Sequence, residues 1–356
     1  MTSRAGLGAP RRPGWCGLAL LALLLATGLG CSDGGDQRPE LSLLAWSEYV
    51  PQSVIDGFSE EYGVKVRHET FASNEEMLAK ILSGKKYDLV QPSEYTVETL
   101  VKKDALLALD YAKIPNFVNI APEYKNLPHD PEQRYTVPWM AGTVGIVVNT
   151  ERIKSSVRGY KDVFQPRHKG RIVVLDDPRE MVAWALAILG RAPNDVTPET
   201  LELVRPVLVK WIPLIKLFDS DSPKTALLNG DADIGIVWSG EAALLFNEHP
   251  KFDFVQPVEG AHRFIDSLAV LRDAPNPEAA HAFMNYVLRP EVSRLISQDF
   301  PYTNPNVEAR KLLTPEERSN PASYPKGNPK LSTFRDIGDA AGKIDQLVKD
   351  VRSSSY

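Results

Sequence analysis

The sequence contains few cysteines and no excess of basic charge. Two cysteines occur among 356 residues. Cys16 lies within an apolar N-terminal run, so Cys31 alone follows that run and an internal disulfide is excluded. Lysine and arginine number 41 against 46 acidic residues, for a formal net charge of −5. Binding to nucleic acid needs a clustered basic surface, so we predict no nucleic-acid partner.

Sequence motifs of common enzymes and metal sites are also missing. The chain has no Gly-x-Ser-x-Gly, no Gly-x-Gly-x-x-Gly and no phosphate-binding loop. Its six histidines are scattered, and none forms a His-x-His or His-x-x-x-His pair. We therefore predict a protein that is not an enzyme and that holds neither a metal ion nor a cofactor.

An export signal is present at the N-terminus. Arg11 and Arg12 precede an apolar run over residues 15–29. This run is shorter than the roughly 20 residues that a membrane-spanning helix needs. A basic start followed by a short apolar run is typical of secretory leaders, so we predict a signal peptide over residues 1–30 and a periplasmic location.

The residues after the leader predict a flexible attachment. Residues 31–40 are mostly polar and are expected to form a tether. Cys31 stands first in this segment, which resembles the lipid-carrying cysteine of bacterial lipoproteins. A lipid anchor at Cys31 is one hypothesis, and ordinary cleavage with release into the periplasm is the alternative.

The rest of the chain predicts two α/β domains, because about 320 residues at roughly 150 per domain suggest two. Short apolar strands alternate with amphipathic helices over residues 41–90, and the alternation resumes over 171–237. Gly63 is expected to end the first helix, and Ser73 with Glu76 is typical of a helix N-terminus. Strands separated by helices imply parallel sheets with right-handed crossovers.

Two short apolar runs are candidates for connections between the domains. Residues 144–149 and 267–271 each join segments of opposite halves. If both cross, the domains are discontinuous and a two-strand hinge allows them to close around a ligand. The expected lobes are residues 41–145 with 267–300 and residues 146–266 with 301–356.

Aromatic residues and carboxylates recur where the predicted strands end. Trp46 and Tyr49 follow the first strand, Asp177 and Trp238 follow later strands, and Asp266 precedes the second connection. Ligands of open α/β sheets bind at the carboxyl ends of strands. Carboxylates offer charge-assisted hydrogen bonds to an ammonium group, and aromatic faces add about 0.5–2 kcal/mol of cation–π attraction. The pattern predicts a site for a linear cation with several amino groups.

Several spaced motifs together resemble one known family. The chain closely resembles the periplasmic spermidine/putrescine-binding proteins of ABC importers from about residue 41 to residue 343. The matching segments are Trp46-Ser47-Glu48-Tyr49-Val50-Pro51, Tyr87-Asp88-Leu89-Val90 with Pro92-Ser93, Leu175-Asp176-Asp177 with Arg179-Glu180, Val237-Trp238 with Gly240, Asp266-Ser267-Leu268-Ala269, and Leu288-Arg289-Pro290.

This resemblance implies a two-lobed Venus-flytrap fold that holds a polyamine between the lobes and delivers it to an ABC permease of the inner membrane. We expect a monomer. The resemblance implies ligand contacts for Trp46, Ser47, Tyr49, Ser93, Tyr95, Asp177, Glu180, Trp238, Glu241, Phe264, Asp266 and Tyr302.

Three departures from the family pattern leave the preferred ligand open. Phe264 stands where spermidine-type members often have tryptophan, Phe334 where a glutamine contacts a terminal amine, and Ala141 where tryptophan is frequent. Spermidine and putrescine both stay candidates. A binder of another small organic cation, such as agmatine, and a sensor without a transport role are the alternative functions.

Several of these residues also have a purely structural alternative. Asp177 precedes Pro178, an arrangement typical of a helix N-cap, and Glu180 in the same turn could be a solvated partner of the helix dipole. We expect Glu48 and Glu94 to face solvent. A place in the hydrophobic core is predicted for Trp184 and Trp211, and is the alternative for Trp46 and Trp238.

Overall fold

The computed structural model describes residues 38–355. The predicted signal peptide, Cys31 and most of the predicted tether lie outside the described residues. Within 38–355 ten strands form one mixed sheet. The strands are β1 (Glu40–Trp46), β2 (Lys65–Phe71), β3 (Leu89–Val90), β4 (Thr136–Asn149), β5 (Ile172–Val174), β6 (Ile215–Phe218), β7 (Ile234–Trp238), β8 (Phe252–Val255), β9 (Ala261–Val270) and β10 (Leu331–Ser332). The helices are α1 (Gln52–Tyr62), α2 (Asn74–Leu82), α3 (Glu94–Lys102), α4 (Tyr160–Val163), α5 (Pro178–Ile188), α6 (Pro198–Trp211), α7 (Pro223–Leu228), α8 (Ser239–Glu248), α9 (Pro277–Val287), α10 (Pro290–Asp299), α11 (Val307–Lys311), α12 (Pro315–Ser319) and α13 (Ala340–Ser354).

The first lobe is built on β1, β2 and β3, which pair in parallel as the alternation over residues 41–90 predicts. Helix α1 buries the face that includes Phe58 and ends at Gly63, whose φ of 63° favours glycine. The Ser73 side chain accepts the backbone N–H of Glu76 at the start of α2. This bond confirms the predicted N-cap.

The second lobe is built on β5, β6 and β7, which are also parallel to one another. Helix α5 begins with Pro178 in its first turn, where the missing N–H of proline costs nothing. Pro206 lies inside α6 and removes one backbone donor from that helix. The alternation of strands and helices predicted over residues 171–237 is therefore confirmed.

Strands β4 and β9 are shared by the two lobes. From Thr136 to Thr143, β4 pairs antiparallel with β9 beside the first lobe, and from Val144 to Val148 it pairs with β7 of the second lobe. Strand β9 in turn pairs with β3 near Val270. The two predicted connecting runs are the end segments of these longer strands. The chain therefore crosses between the lobes on two adjacent strands.

Each lobe has its own hydrophobic core. The core of the first lobe includes Leu43 and Phe283, and the core of the second includes Trp184 and Trp211. Helix α13 closes the second core against α5 and α6 through a buried face that contains Val348. Separate cores allow each lobe to keep its internal packing while the two change their relative position. The predicted core positions of both tryptophans are confirmed.

Candidate ligand-binding cleft

The sequence-predicted contact residues meet at one cavity. Strands β1, β3, β5 and β7 bring their carboxyl ends to this cavity, and β9 passes beside it, as expected for a ligand site in an α/β sheet. The cavity is narrow, with a volume of about 50 Å³. Its walls contain Trp46, Ser47, Tyr49, Ser93, Tyr95, Asp177, Glu180, Trp238, Glu241, Phe264, Asp266 and Tyr302, and in addition Glu48, Phe71, Ala72, Asn74, Ser220, Asp221, His262 and Phe334.

Aromatic rings form a connected wall along the cavity. The ring centroids of Tyr49 and Tyr302 lie 4.9 Å apart, and those of Tyr302 and Phe264 lie 5.9 Å apart. Trp238 meets Phe264 edge-on at 5.6 Å. Gly240 leaves no room for a side chain beside the Tyr302 ring, so glycine is required at this close approach. The wall is apolar and presents ring faces to a narrow ligand.

Asp266 lies on β9 and is buried in the cavity wall. It accepts hydrogen bonds from the Tyr49 hydroxyl at 2.9 Å and from the Ser93 hydroxyl at 2.6 Å. Burial and nearby Glu94 raise the pKa of Asp266 while the two hydroxyls and the His262 imidazolium oppose the rise, and the net pKa is about 7. Asp266 has no ion-pair contact among residues 38–355. An ammonium group in the cavity would supply the missing positive charge.

Asp177 is both a helix cap and a cavity residue. Its carboxylate accepts the Glu180 backbone N–H at 3.0 Å at the start of α5. The alternative role of Asp177 as a helix N-cap is therefore confirmed. The side chain also stays partly accessible from the cavity. Burial, together with Glu180 and Glu75, raises the pKa of Asp177 to about 7. Within the described part of the chain, Asp177 is held by no salt bridge.

A buried cluster of His262, Glu94 and Glu180, here called the His262 cluster, was not predicted. His262 Nδ1 lies 2.5 Å from Glu180 Oε1, and His262 Nε2 lies 3.1 Å from Glu94 Oε1. The imidazole stacks on the Phe334 ring at 3.6 Å. Burial opposes charge on His262, but attraction by Glu180 and hydrogen bonds to both carboxylates raise its pKa to about 10. His262 is therefore an imidazolium at neutral pH.

The His262 cluster corrects one expectation about Glu94 and defines the role of Glu180. Glu94 was expected to face solvent, which is wrong, since it is buried and also accepts the backbone N–H groups of Ile265 and Phe334. Glu180 is buried as well, and its second oxygen accepts the Trp184 indole N–H at 3.1 Å. Both Glu180 oxygens are thus bonded within the protein.

A second unpredicted cation pairs with two carboxylates that line the cavity. Lys224, at the start of α7, places its Nζ atom 2.5 Å from Glu48 Oε2 and 3.1 Å from Glu241 Oε1. Glu48 belongs to the first lobe and has a left-handed backbone with φ of 54°. This Lys224 cluster (Lys224, Glu48 and Glu241) thus bridges the lobes, as the His262 cluster does.

The remaining polar walls are held by Asn74, which sequence reasoning also missed. Its side-chain amide donates to the Ser93 hydroxyl at 3.0 Å and to the Tyr95 hydroxyl at 2.9 Å.

Among residues 38–355, no group of three or more histidine, cysteine, aspartate or glutamate side chains is arranged to hold a metal ion. The same residues include no helix with the length and apolar character to cross a membrane.

Two α/β lobes that share two long strands and enclose a cavity at their strand ends define a binding protein of the clamshell type. The chain belongs to the bacterial extracellular solute-binding protein family, whose model matches residues 53–325. The predicted family and the two-lobed α/β fold are confirmed.

Individual relatives have names that include polyamines. The chain is 35% identical to the spermidine/putrescine-binding periplasmic protein of Escherichia coli, over 87% of this chain and 90% of that protein. It is 32% identical to a putrescine-binding periplasmic protein of Pseudomonas aeruginosa, over 90% of this chain and 94% of that protein. The solved spermidine/putrescine ABC transporter substrate-binding protein of Streptococcus pneumoniae is similar with a TM-score of 0.76 and 30% identity, covering 89% of this chain and 100% of that chain.

Proposed function

We propose that this protein captures a polyamine in the periplasm and delivers it to the permease of an ABC importer, without making or breaking a bond. The observation that carries the proposal is a pair of carboxylates, Asp266 and Asp177, that face an aromatic-walled cavity without a salt-bridge partner among residues 38–355. A buried carboxylate without a cation is unfavourable, and a ligand ammonium relieves that cost. The names of the relatives point to the same ligand class.

We propose that the ligand is bound by the twelve residues that the resemblance implies, all of which line the cavity. Eleven of them contact the ligand directly, and Glu180 acts by holding His262. Charge-assisted hydrogen bonds from ligand ammonium groups go to Asp266 and Asp177. The rings of Tyr49, Tyr302 and Trp238 pack against the methylene chain and face its cationic ends. Micromolar affinity requires about 8 kcal/mol, which several such contacts can supply.

The proposed lobes close around the ligand by bending β4 and β9. The first lobe contains residues 41–145 and 267–300, and the second contains residues 146–266 and the part of 301–356 that follows residue 311. We assign residues 301–311 to the first lobe, because Thr303 bridges to Ala141 and Asn306 bridges to Ile120. A ligand that touches both lobes binds the closed form better and therefore shifts the population toward it.

The proposal also covers export, membrane attachment and oligomeric state. A leader over residues 1–30 directs export, and Cys31 after cleavage either carries a lipid anchor or is the start of a released chain. The protein acts as a monomer, needs no cofactor and has no catalytic residue.

Isothermal titration with putrescine, cadaverine, spermidine and spermine tests this function. We expect saturable binding of at least one of them, and a loss of at least about tenfold in affinity for Asp266→Ala and for Trp238→Ala. Asp273→Ala, at an exposed carboxylate paired with Lys86, is the matched control. Flat traces for all four amines would contradict the function, and unchanged affinity in both cavity variants would place the site elsewhere.

A further inference from the structure

The carboxylates of the cavity differ in whether the protein supplies them with a cation. Glu180 holds the His262 imidazolium, while Glu48 and Glu241 hold the Lys224 ammonium. Asp221 is exposed and therefore solvated. Asp177 and Asp266 are left without a salt bridge in the described range, 38–355. The cavity thus contains two positions that call for a ligand cation.

Lys224 is bound tightly enough to remain in place when a ligand enters. A lysine ammonium has three hydrogen-bond donors, and the Nζ atom has three acceptors: Glu48, Glu241 and, at 3.2 Å, the Ser222 hydroxyl. The Lys224 side chain is 17% exposed and that of Glu241 is 4% exposed. Burial raises the pKa of Glu241 and the Lys224 ammonium opposes this rise; with both effects the pKa is about 8. A cation beside Glu241 therefore favours its ionised form.

The Lys224 cluster borders the same cavity as the two unpaired carboxylates. Glu48 and Glu241 line the cavity and act electrostatically on the Tyr302 hydroxyl. Tyr302 in turn packs against Tyr49, which donates to Asp266. A ligand ammonium that extends from Asp266 toward Glu241 would therefore meet the Lys224 ammonium.

We propose that Lys224 is a built-in ammonium group at the Tyr302 side of the cavity and makes the site selective for diamines over triamines. This inference rests on the proposed function, polyamine binding. Asp177 and Asp266, which line the same cavity, would each accept one ammonium group of a diamine. The third ammonium of a triamine has Glu48 and Glu241 as its remaining acceptors, and these already hold a cation. Repulsion between like charges then selects against the longer ligand.

Titration of the whole mature chain with putrescine and with spermidine tests the inference. We compare the unaltered protein with Lys224→Met and with the control Lys216→Met. Lys216 lies on β6, and its substitution removes the same charge from an exposed ion pair with Asp231. The unaltered protein is expected to prefer putrescine by at least about tenfold. Lys224→Met is expected to bind spermidine at least about tenfold more tightly while its putrescine affinity changes less than about threefold, and Lys216→Met to change neither.

Lys224→Arg is a second variant that separates the effect of the charge from a folding defect in Lys224→Met. It keeps the positive charge and is expected to retain the preference for putrescine, with a melting temperature close to that of the unaltered protein. The inference is overturned if the unaltered protein binds spermidine as tightly as putrescine, or if Lys224→Met leaves the ratio of the two affinities unchanged. Absence of binding to either amine by the unaltered protein would instead contradict the proposed function.

Discussion

The His262 cluster and the Lys224 cluster are built alike but differ in exposure to water. Each joins a carboxylate of the first lobe to a carboxylate of the second through one protein cation. The side chains of His262 and Glu94 are 5% and 2% exposed, whereas those of Lys224 and Glu48 are 17% and 44% exposed. The same arrangement of charges is therefore expected to affect stability in one cluster and ligand choice in the other.

Burial makes the His262 cluster a fixed part of the fold. Charges attract more strongly where water is excluded, and an unpaired charge there is also more costly. His262 lies on the shared strand β9 and stacks on Phe334, so its position is set by the backbone and by packing. In the Lys224 cluster Glu48 is 44% exposed to water, and within residues 38–355 no aromatic ring stacks on Lys224. We therefore expect the first cluster to govern stability and the second to govern ligand choice.

Replacing His262 should produce the largest loss of stability. His262→Leu leaves Glu94 and Glu180 buried without their cation, and breaking a buried pair in this way costs about 3–5 kcal/mol. Denaturant unfolding monitored by circular dichroism measures the free energy of unfolding. His249→Leu, at a histidine whose side chain is 39% exposed, is the control and should change stability by less than about 0.5 kcal/mol. Equal effects of the two substitutions would mean that the His262 cluster does not stabilise the fold.

The stabilisation by His262 should depend on pH in one direction. The pKa of His262 is raised to about 10 in the folded protein, above the value of about 6.5 in an unfolded chain. Its contribution is therefore complete below about pH 6.5 and is lost as the pH rises through about 10. The groups that act on it are Glu94 from α3, Glu180 and Asp177 from α5, and Asp266 from β9.

The measurement is the difference in unfolding free energy between the unaltered protein and His262→Leu at several pH values. Groups that do not interact with His262 contribute to both proteins and cancel in the difference, whereas Asp177 and Asp266, with pKa values of about 7, are coupled to His262 and contribute to the difference near neutral pH. We expect this difference to shrink from neutral pH toward pH 10. A difference that stays constant between neutral pH and pH 10 would mean that His262 is neutral in the folded protein.

Local sequence patterns were sufficient to predict the parts of the site that follow strand ends. Trp46 comes directly at the end of β1 and Trp238 at the end of β7, so reading the strands correctly also placed these rings. Asp177 was visible as an acid before Pro178. The family resemblance added Tyr302, whose position depends on packing against Tyr49 across the first lobe.

The ion clusters could not be predicted, because their members are far apart in sequence. His262 and Glu94 are separated by 168 residues, and Lys224 and Glu48 by 176. No periodicity or spacing relates such residues, and a glutamate at the start of a helix is usually solvated. Glu94 was assigned to solvent for this reason. Its burial depends on β9 passing over the start of α3 and donating the Ile265 N–H.

The two clusters can be compared by making the same substitution at the first-lobe glutamate of each. The smallest change in the free energy of unfolding is expected for Glu48→Gln. Glu48→Gln and Glu94→Gln each remove the negative charge of a first-lobe carboxylate and keep its size. Glu48 is exposed, and Lys224 keeps its contact with Glu241, so Glu48→Gln should lower the free energy of unfolding by less than about 1 kcal/mol. Glu94→Gln should cost several times more, because His262 then remains buried with one carboxylate.

Paired denaturant melts of these two variants at neutral pH test whether the His262 cluster stabilises the fold more than the Lys224 cluster does. Because both variants lose one negative charge, effects of net charge on the unfolded chain cancel in the comparison. If Glu48→Gln destabilised the protein as much as Glu94→Gln, the Lys224 cluster would also be a fixed support of the fold.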